Sequence, residues 1–330
     1  MERVYSRRAF VGHLAILGGV SPVAGCVHLP RSHRVPRIGF LTGALPSLVN
    51  AFTGELRRLG YVDGRSVVVE MRLQRPNTTD LVDQAAELAR MELDLVVAGA
   101  LPHALEVRKM NPRMPMVIAT CPGMVSNGFA ASLERPGGLY TGIEELPPGV
   151  TAKRLELLKT AAPTLSRVAL LSTTPGRGGH ETQLAEAERA APRLGVTVRP
   201  YRATTRQELE VALDALVRDG MEGLVNFQGG LSLAYRQAIV DFAATQRRPA
   251  IYQSEFFIEA GGLMAWAPDQ EEQYREAARY VDRILSGAKP GDLPVRYPNH
   301  YRLSLNTRAA SGLGLTLPPA LVAGAERLVP

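Results

Sequence analysis

Short apolar runs alternate with amphipathic segments along most of this chain, and the alternation limits the folds that the chain can adopt. The first run, at 37–41, is apolar after its first residue, and a segment with helical spacing of apolar residues follows at 49–59. Strands buried on both faces are apolar along their length, and strands that alternate with helices form parallel sheets. The sequence therefore predicts an α/β fold built from βαβ units.

The alternation occurs in two series, which predict two doubly wound, Rossmann-like lobes. In the first series, strands are predicted at 37–41, 66–71, 93–98 and 115–120, and helices at 49–59, 80–91 and 101–110. In the second series, strands are predicted at 167–171, 196–201, 223–227 and 249–252, and helices at 153–159, 182–193, 206–218 and 235–246.

Later segments return the chain from one lobe to the other. We interpret a Gly-rich stretch at 135–143 as a connector between the lobes, and two later extended segments flank a helix at 271–285. Several crossings of this kind form a multi-strand hinge. The predicted lobes are 37–142 plus 263–292 for the first, and 143–262 plus 293–330 for the second.

The first 25 residues have the organisation of a secretory signal peptide. Arg7 and Arg8 form a basic pair, and an apolar run follows at 11–24. A twin arginine in this position is typical of one bacterial export route. The ending at Cys26 resembles a lipobox, in which the cysteine is lipidated. We therefore predict an exported protein with a twin-arginine signal peptide at 1–25 and a lipid on Cys26.

A tether is predicted at 26–36, between the lipid and the first strand, so that the protein stays in the periplasm or at the outer face of a membrane. Three alternatives remain: a signal peptide without lipidation, in which Cys26 is incidental, a membrane anchor, and a buried helix. The apolar run is shorter than the about 20 residues of a membrane span and includes His13 and Pro22, which favours the signal peptide.

The composition is typical of a globular protein, with 45% hydrophobic and 21% charged residues. The formal net charge is +6, but basic residues stand beside acidic ones in the predicted helices, as at 186–189 and 271–275. Such residues form solvated helix faces, so no nucleic-acid partner is predicted. If Cys26 is lipidated, Cys121 is the single remaining cysteine, and no disulfide framework is expected.

Few patterns in the sequence indicate a catalytic site. There is no G-x-x-x-x-G-K-[ST] phosphate loop and the six histidines are isolated, so neither a cofactor nor a metal site is predicted. Residues 230–234 resemble a nucleophile elbow but end in Ala, and we interpret Ser232 as a helix cap. Cys121 follows a strand without a paired histidine and is interpreted as a small buried or cleft-lining residue. A binding protein is predicted rather than an enzyme.

A series of segments lies in order along residues 37–325, at 38–41, 56–64, 131–138, 152–158, 249–252, 259–264, 283–294 and 313–319. This series resembles the exported solute-binding proteins of ABC importers, a family that includes aromatic-amino-acid binders. The resemblance implies a type I periplasmic-binding fold, a cleft between two lobes, and delivery of a small polar ligand to a membrane permease with its ATPase. A ligand-binding sensor module for a membrane signalling protein and an exported serine hydrolase that uses Ser232 remain alternatives.

Two regions depart from the family pattern. Gly123 and Met124 stand where relatives often carry Asp-Pro after the fourth strand, and Thr174 and Pro175 stand where many carry Asn-Pro. Both regions are expected to face the cleft. The ligand class is therefore left open between amino acid, peptide, nucleoside and sugar.

The predicted ligand-binding residues follow the strands, because ligands of open parallel sheets bind at the carboxyl ends of the strands. In the first lobe they are Thr42, Gly43, Ala44, Gly99, Ala100, Thr120 and Cys121. In the second lobe they are Ser172, Thr173, Thr174, Gln228, Gly229, Gln253 and Glu255. We expect Thr and Gln to hydrogen-bond polar ligand groups, and Glu255 either to pair with a cationic group or to be solvated. Trp266, near a lobe crossing, is predicted to stack on the ligand or to pack at the hinge.

Overall fold

Two β-sheets flanked by helices organise the computed structural model, which describes residues 34–43, 45–75, 80–173, 178–227 and 229–330. The predicted signal peptide, Cys26 and most of the predicted tether lie outside the described residues, as do Ala44, Thr174 and Gln228. Residues 35–330 form one compact unit. In the described part of the chain, no helix is both long and apolar enough to cross a membrane.

The first sheet has five parallel strands in the order β2-β1-β3-β4-β5. Its strands are β1 (Arg37–Thr42), β2 (Val68–Leu73), β3 (Leu95–Ala98), β4 (Met116–Cys121) and β5 (Tyr140–Glu144). Successive side chains point to opposite faces, so Phe40 packs in the core on one face and Leu41 in the core on the other. Burial on both faces explains why the central strands are apolar along their length.

The second sheet has seven strands in the order β12-β11-β10-β9-β8-β6-β7. Its strands are β6 (Arg167–Ser172), β7 (Thr197–Arg202), β8 (Gly223–Asn226), β9 (Ala250–Tyr252), β10 (Met264–Pro268), β11 (Tyr301–Asn306) and β12 (Arg327–Val329). Neighbouring strands are parallel except β10 and β11, which are antiparallel. Leu170 and Leu171 are buried in two different cores, so both faces of this sheet are also covered.

Twelve α-helices are present in the described residues, and the predicted α/β fold with two sheets is confirmed. The helices are α1 (Pro46–Arg58), α2 (Asp80–Arg90), α3 (Leu101–Met110), α4 (Val150–Ala161), α5 (Gly178–Ala190), α6 (Arg206–Arg218), α7 (Gly230–Ala234), α8 (Arg236–Thr245), α9 (Phe256–Glu259), α10 (Gln270–Leu285), α11 (Thr307–Gly312) and α12 (Pro319–Ala323). Short 3₁₀ turns lie at Ala191–Leu194 and Pro290–Asp292.

The segment predicted as a connector between the lobes contains the edge strand β5 of the first sheet. Gly142, in this strand, has a φ of 148°, and a Cβ atom built on it would lie 2.1 Å from the carbonyl oxygen of Ile118. Only glycine allows β5 to approach β4 so closely. This glycine of the predicted connector therefore serves the pairing of two strands.

Strand β10 and helix α10 belong to different sheets, although they are consecutive. Met264 and Ala265 are buried in the two cores of the second sheet, whereas Tyr274 packs in the first-sheet core with Phe40. The predicted lobe boundary at residue 263 is therefore corrected for β10, because the apolar residues of this strand complete the second sheet. Helix α10 packs in the first-sheet core, and the other lobe boundaries stay predictions.

Candidate functional site

The carboxyl ends of β1, β3 and β4 meet at one edge of the first sheet, where three hydroxyl groups share hydrogen bonds. Tyr274 of α10 donates from its hydroxyl to the carbonyl oxygen of Gly99 at 3.1 Å, and Thr120 donates to the same oxygen at 3.1 Å. The Tyr274 hydroxyl also lies 3.3 Å from Oγ1 of Thr42. Burial raises the pKa of Tyr274, which keeps the hydroxyl protonated and able to donate. This edge presents neutral polar groups.

Gly99 allows these groups to meet. A Cβ atom built on Gly99 would lie 2.2 Å from Oγ1 of Thr42 and 2.9 Å from the hydroxyl oxygen of Tyr274. Both distances are shorter than real side chains show, so any larger residue would displace its neighbours. The structure thus brings together the predicted residues Thr42, Gly99 and Thr120, with Tyr274 as an additional member.

A second network lies at the carboxyl ends of β6, β8 and β9. The backbone N–H of Ser232 donates to Oγ1 of Thr173 at 3.1 Å, and the side-chain amide of Gln253 donates to Oγ of Ser232 at 3.2 Å. A Cβ atom built on Gly229 would lie 2.2 Å from Oγ1 of Thr173. Glycine therefore allows the loop after β8 to contact the loop after β6, and the predicted residues Thr173, Gly229 and Gln253 lie together.

Buried polar atoms without partners occur at this same edge. Ser172, Asn226 and Gln253 end or follow β6, β8 and β9, and each is at most 2% exposed. Within the described ranges, no partner is present for Oγ of Ser172, for Oε1 of Gln253 or for either amide atom of Asn226. Buried polar groups in native proteins are normally hydrogen-bonded, so such a group needs a water or a ligand as its partner.

The loop after β9 links the two strand-end edges. Phe256 of α9 packs against the first-sheet core that contains Tyr274, and Ser254 donates to Oε1 of Gln270 in α10 at 2.9 Å. The carboxyl end of the second sheet therefore abuts the first sheet. We use the name strand-end cleft for these two strand-end networks taken together. Its residues are Thr42, Gly99, Thr120 and Tyr274 on one side, and Ser172, Thr173, Asn226 and Gln253 on the other.

A buried carboxyl and a buried guanidinium lie where the chain leaves β5. Glu145 is 3% exposed and Arg154 is 1% exposed. Nε of Arg154 donates to the carbonyl oxygen of Trp266 at 3.0 Å, and the Tyr301 hydroxyl donates to the carbonyl oxygen of Glu145 at 2.5 Å. Burial raises the pKa of Glu145 to about 8, although Arg154 opposes the rise. Oε1 of Glu145 and Nη1 of Arg154 lack partners in the described residues.

Glu255 does not present a free carboxylate to the strand-end cleft. Its Oε1 accepts a hydrogen bond from Ser304 at 3.0 Å, and its Oε2 lies 3.3 Å from Nη1 of Arg327. Because both oxygens are engaged within the chain, the structure does not support the expected pairing with a cationic ligand group. The ring of Trp266 lies 5.9 Å from that of Tyr301 and packs against a core of the second sheet, which favours hinge packing over ligand stacking.

The candidate nucleophiles are engaged or buried. Oγ of Ser232 donates to the carbonyl oxygen of Gly229 at 2.9 Å and accepts from Gln253. The interpretation of Ser232 as a helix cap is corrected, because α7 begins at Gly230 and Gly229 is its N-cap. Cys121 is fully buried and burial raises the pKa of its thiol, which makes the thiol a poor nucleophile.

The remaining predicted residues lie at the rim of the first sheet. Gly43 is exposed and Ala100 is half-buried, so neither takes part in the buried network. Among the residues that the structure describes, no group of three or more His, Cys, Asp or Glu side chains is arranged to hold a metal ion. The arrangement therefore consists of hydrogen-bonding groups rather than a reactive cluster.

Four residues of this region were missed by the sequence reasoning. Asn226 is the last residue of β8, and it was predictable from the sequence. An amide side chain at a buried strand end needs a hydrogen-bond partner, which points to a ligand. Tyr274 comes from a helix that follows a strand of the other sheet, and no local pattern indicates its position. Glu145 and Arg154 belong to the first crossing and to α4, where charged residues are ordinarily solvated.

Two mostly parallel sheets flanked by helices, with three crossings of the chain between them, define the fold of the type I periplasmic class. Residues 42–329 match the family model described as ABC transporter substrate binding protein. Because the match covers most of the chain, the chain belongs to this family.

Three similar proteins illustrate the relationship. The Tyrosine-binding protein of Clostridioides difficile (strain R20291) is 23% identical over 274 residues, which cover 82% of this chain and 78% of that protein. The crystal structure of the ABC domain in complex with L-Trp from Streptococcus pneumonia aligns with a TM-score of 0.82 at 22% identity, covering 90% of this chain and 100% of that chain. A conserved domain protein from Vibrio cholerae aligns with a TM-score of 0.81 at 21% identity, covering 89% and 100%.

Proposed function

We propose that this protein captures a small polar solute in the strand-end cleft. The observation that carries the proposal is the set of buried, unpartnered polar atoms on Ser172, Asn226 and Gln253. A solute that hydrogen-bonds these atoms replaces the missing partners, and removal from water strengthens each bond. Since these side chains are almost fully buried, the solute enters when the lobes separate and is enclosed when they close.

Amino acids are the first class of solute to test. The relatives named above include a tyrosine-binding protein and a structure in complex with L-Trp. In this chain, hydroxyl and amide groups accept and donate hydrogen bonds without net charge, and Oε1 of Glu145 and Nη1 of Arg154 are further buried atoms without partners in the described residues. Such a set suits a solute that carries both an ammonium and a carboxylate group.

We propose further that the protein is not an enzyme and that it delivers its solute to an ABC permease with its ATPase. The two candidate nucleophiles in the described residues support this, because Ser232 is hydrogen-bonded within the chain and Cys121 is buried with a raised thiol pKa. Delivery requires the protein to stay near the membrane. A twin-arginine signal peptide at 1–25, a lipid on Cys26 and a tether at 26–36 provide export and attachment in this proposal.

A thermal-shift and calorimetry screen tests the capture of a solute. The purified protein is exposed to the amino acids, small peptides, nucleosides and sugars, one at a time. A solute at 100 times its dissociation constant raises the free energy of unfolding by about 2.7 kcal/mol. The expected result is saturable binding of one class that is weakened at least tenfold in Asn226→Ala.

The control is Asn50→Ala, which removes an exposed asparagine of α1 that is not among the cleft residues. If no compound shifts the melting temperature, or if Asn226→Ala binds the identified solute as tightly as Asn50→Ala, the strand-end cleft is not the site of capture.

A further inference from the structure

A cavity of about 240 Å³ lies beside the three chain crossings, apart from the strand-end cleft. Its lining includes Ile143 near the end of β5, just before the first crossing, and Gln273 and Glu276 of α10, which follows the second. Tyr297 of the third crossing and Arg302 of β11 also line it. We call it the hinge pocket. Its volume corresponds to roughly eight water molecules at about 30 Å³ each, so it has room for a small organic molecule.

Gln273 is a buried polar side chain in the lining of the hinge pocket. It is 3% exposed, and neither atom of its amide has a hydrogen-bond partner in the described residues. The next residue, Tyr274, points to the strand-end cleft, where it contacts Thr42 and Gly99. Successive residues of a helix are rotated by about 100°, so Gln273 faces the hinge pocket instead. A buried amide without partners is costly unless something occupies the pocket.

The full charges around the pocket are already paired. Oδ2 of Asp269 lies 3.2 Å from Nη2 of Arg302, and Oε1 of Glu272 lies 2.7 Å from Nη1 of Arg279. At the rim, Nε2 of His300 lies 2.8 Å from a carboxylate oxygen of Glu326. These charged groups already have partners within the chain, so an ionic occupant would have to compete with those partners.

Among the described residues that line the pocket, four side-chain atoms remain without hydrogen bonds. They are Oε1 and Nε2 of Gln273, Oε1 of Glu276 and Nε of Arg302. Oε1 of Glu276 is 4.0 Å from Nη1 of Arg296, and Nε of Arg302 is 3.5 Å from Oε1 of Glu255, so each has an ionic neighbour but no hydrogen bond. Two acceptors and two donors are thus available. Hydroxyl groups both donate and accept, and a chain of them matches such a mixed set.

We propose that the hinge pocket is a second ligand site, which binds a small neutral polyol of the size of glycerol, erythritol or xylitol. The hydroxyl groups of the polyol satisfy Gln273, Glu276 and Arg302. The two sites share none of these residues, so polyol binding is measured without any solute in the strand-end cleft.

Calorimetric titration of the full-length protein with each of these three polyols, in buffer free of other polyols, tests the proposal. The expected result is saturable binding of at least one polyol with one site per chain. Gln273→Met keeps the size of the side chain and removes its hydrogen-bonding atoms, so it lowers the affinity at least tenfold. The same change raises the melting temperature without polyol, because an unpartnered buried amide is gone.

Three further variants distinguish polyol binding in the hinge pocket from polyol binding elsewhere in the protein. Gln237→Met, at an exposed glutamine of α8, is the matched control and leaves polyol binding unchanged. Ser172→Ala, in the strand-end cleft, also leaves it unchanged. Tyr297→Ala removes an exposed side chain of the pocket lining and weakens binding, which provides a test if Gln273→Met fails to fold.

Non-saturating heats with all three polyols would overturn the proposal, as would binding that persists in Gln273→Met. Loss of polyol binding in Ser172→Ala would place the polyol in the strand-end cleft. A crystal structure grown with polyol that shows only ordered waters against Gln273 would identify the pocket as a hydration site.

Discussion

The hydroxyl of Tyr274 lies 3.3 Å from Oγ1 of Thr42, although the two residues are 232 positions apart in the chain. Thr42 ends the first strand, whereas Tyr274 reaches this position on a helix that the chain enters from the second sheet. The contact therefore connects the carboxyl end of β1 to the helix that follows the second crossing between the sheets. The contacts of α10 are thus part of both the fold and the proposed binding site.

Tyr274→Phe removes the hydroxyl that bridges Thr42 and Gly99. We expect the free energy of unfolding to fall by about 1 kcal/mol, because the carbonyl oxygen of Gly99 keeps its hydrogen bond from Thr120. Chemical denaturation measures the change, with Tyr297→Phe at an exposed tyrosine as the control. An unchanged stability would show that the Tyr274 hydroxyl contributes nothing to this network.

Gly99→Ala places a Cβ atom within 2.2 Å of Oγ1 of Thr42. Displacement of buried neighbours by an added methyl group costs about 1–3 kcal/mol, and we expect a loss in this range by denaturant titration. Gly138→Ala is the matched control, because a Cβ atom there meets nothing within 4 Å. Equal effects of the two substitutions would mean that the close approach at Gly99 is relieved without cost.

Glu145→Gln is expected to change how stability depends on pH. Burial raises the pKa of Glu145 to about 8 from 4.5, so the folded protein keeps this proton at a pH where the unfolded chain has lost it. The folded state then binds more protons, and stability falls as pH rises from about 4.5 to about 8. This pH-dependent loss of stability is expected in the wild type and not in Glu145→Gln, because a glutamine side chain does not titrate.

Denaturation midpoints across this pH range measure the difference between the two proteins. Glu156→Gln, at an exposed carboxylate of α4, serves as the control and follows the wild type. Parallel pH profiles for the wild type and Glu145→Gln would contradict the raised pKa.

Cys26→Ser tests the predicted lipid anchor. Two or three acyl chains hold a protein firmly on a membrane, whereas a protein without them is released. We expect the variant to move from the membrane fraction to the soluble fraction of the producing cells. Cys121→Ala, at the buried cysteine, should remain with the membrane. A wild-type protein that is already soluble would show that the region around Cys26 is only a cleavage site.

Much of the fold was predictable because strands and helices have local signatures. The apolar run that forms β1 and the helical spacing of α2 both appear in the sequence, and the structure confirms them with small shifts at their ends. The residues at the strand ends were also predictable, because they follow apolar runs in the sequence. They include Thr42, Gly99, Thr173 and Gly229. They lie in the two networks because parallel strands place their carboxyl ends at one edge.

What the sequence determined by itself was the α/β class, the family resemblance and the set of strand-end residues, since each depends on neighbours close in the chain. Only the tertiary structure decided that β10 completes the second sheet while α10 packs on the first. It also decided that Glu255 faces Ser304 and Arg327, and that Gln273 is buried without partners. The physical reason is that burial and hydrogen-bond partners depend on segments far apart in the chain, and no local pattern records which segments meet.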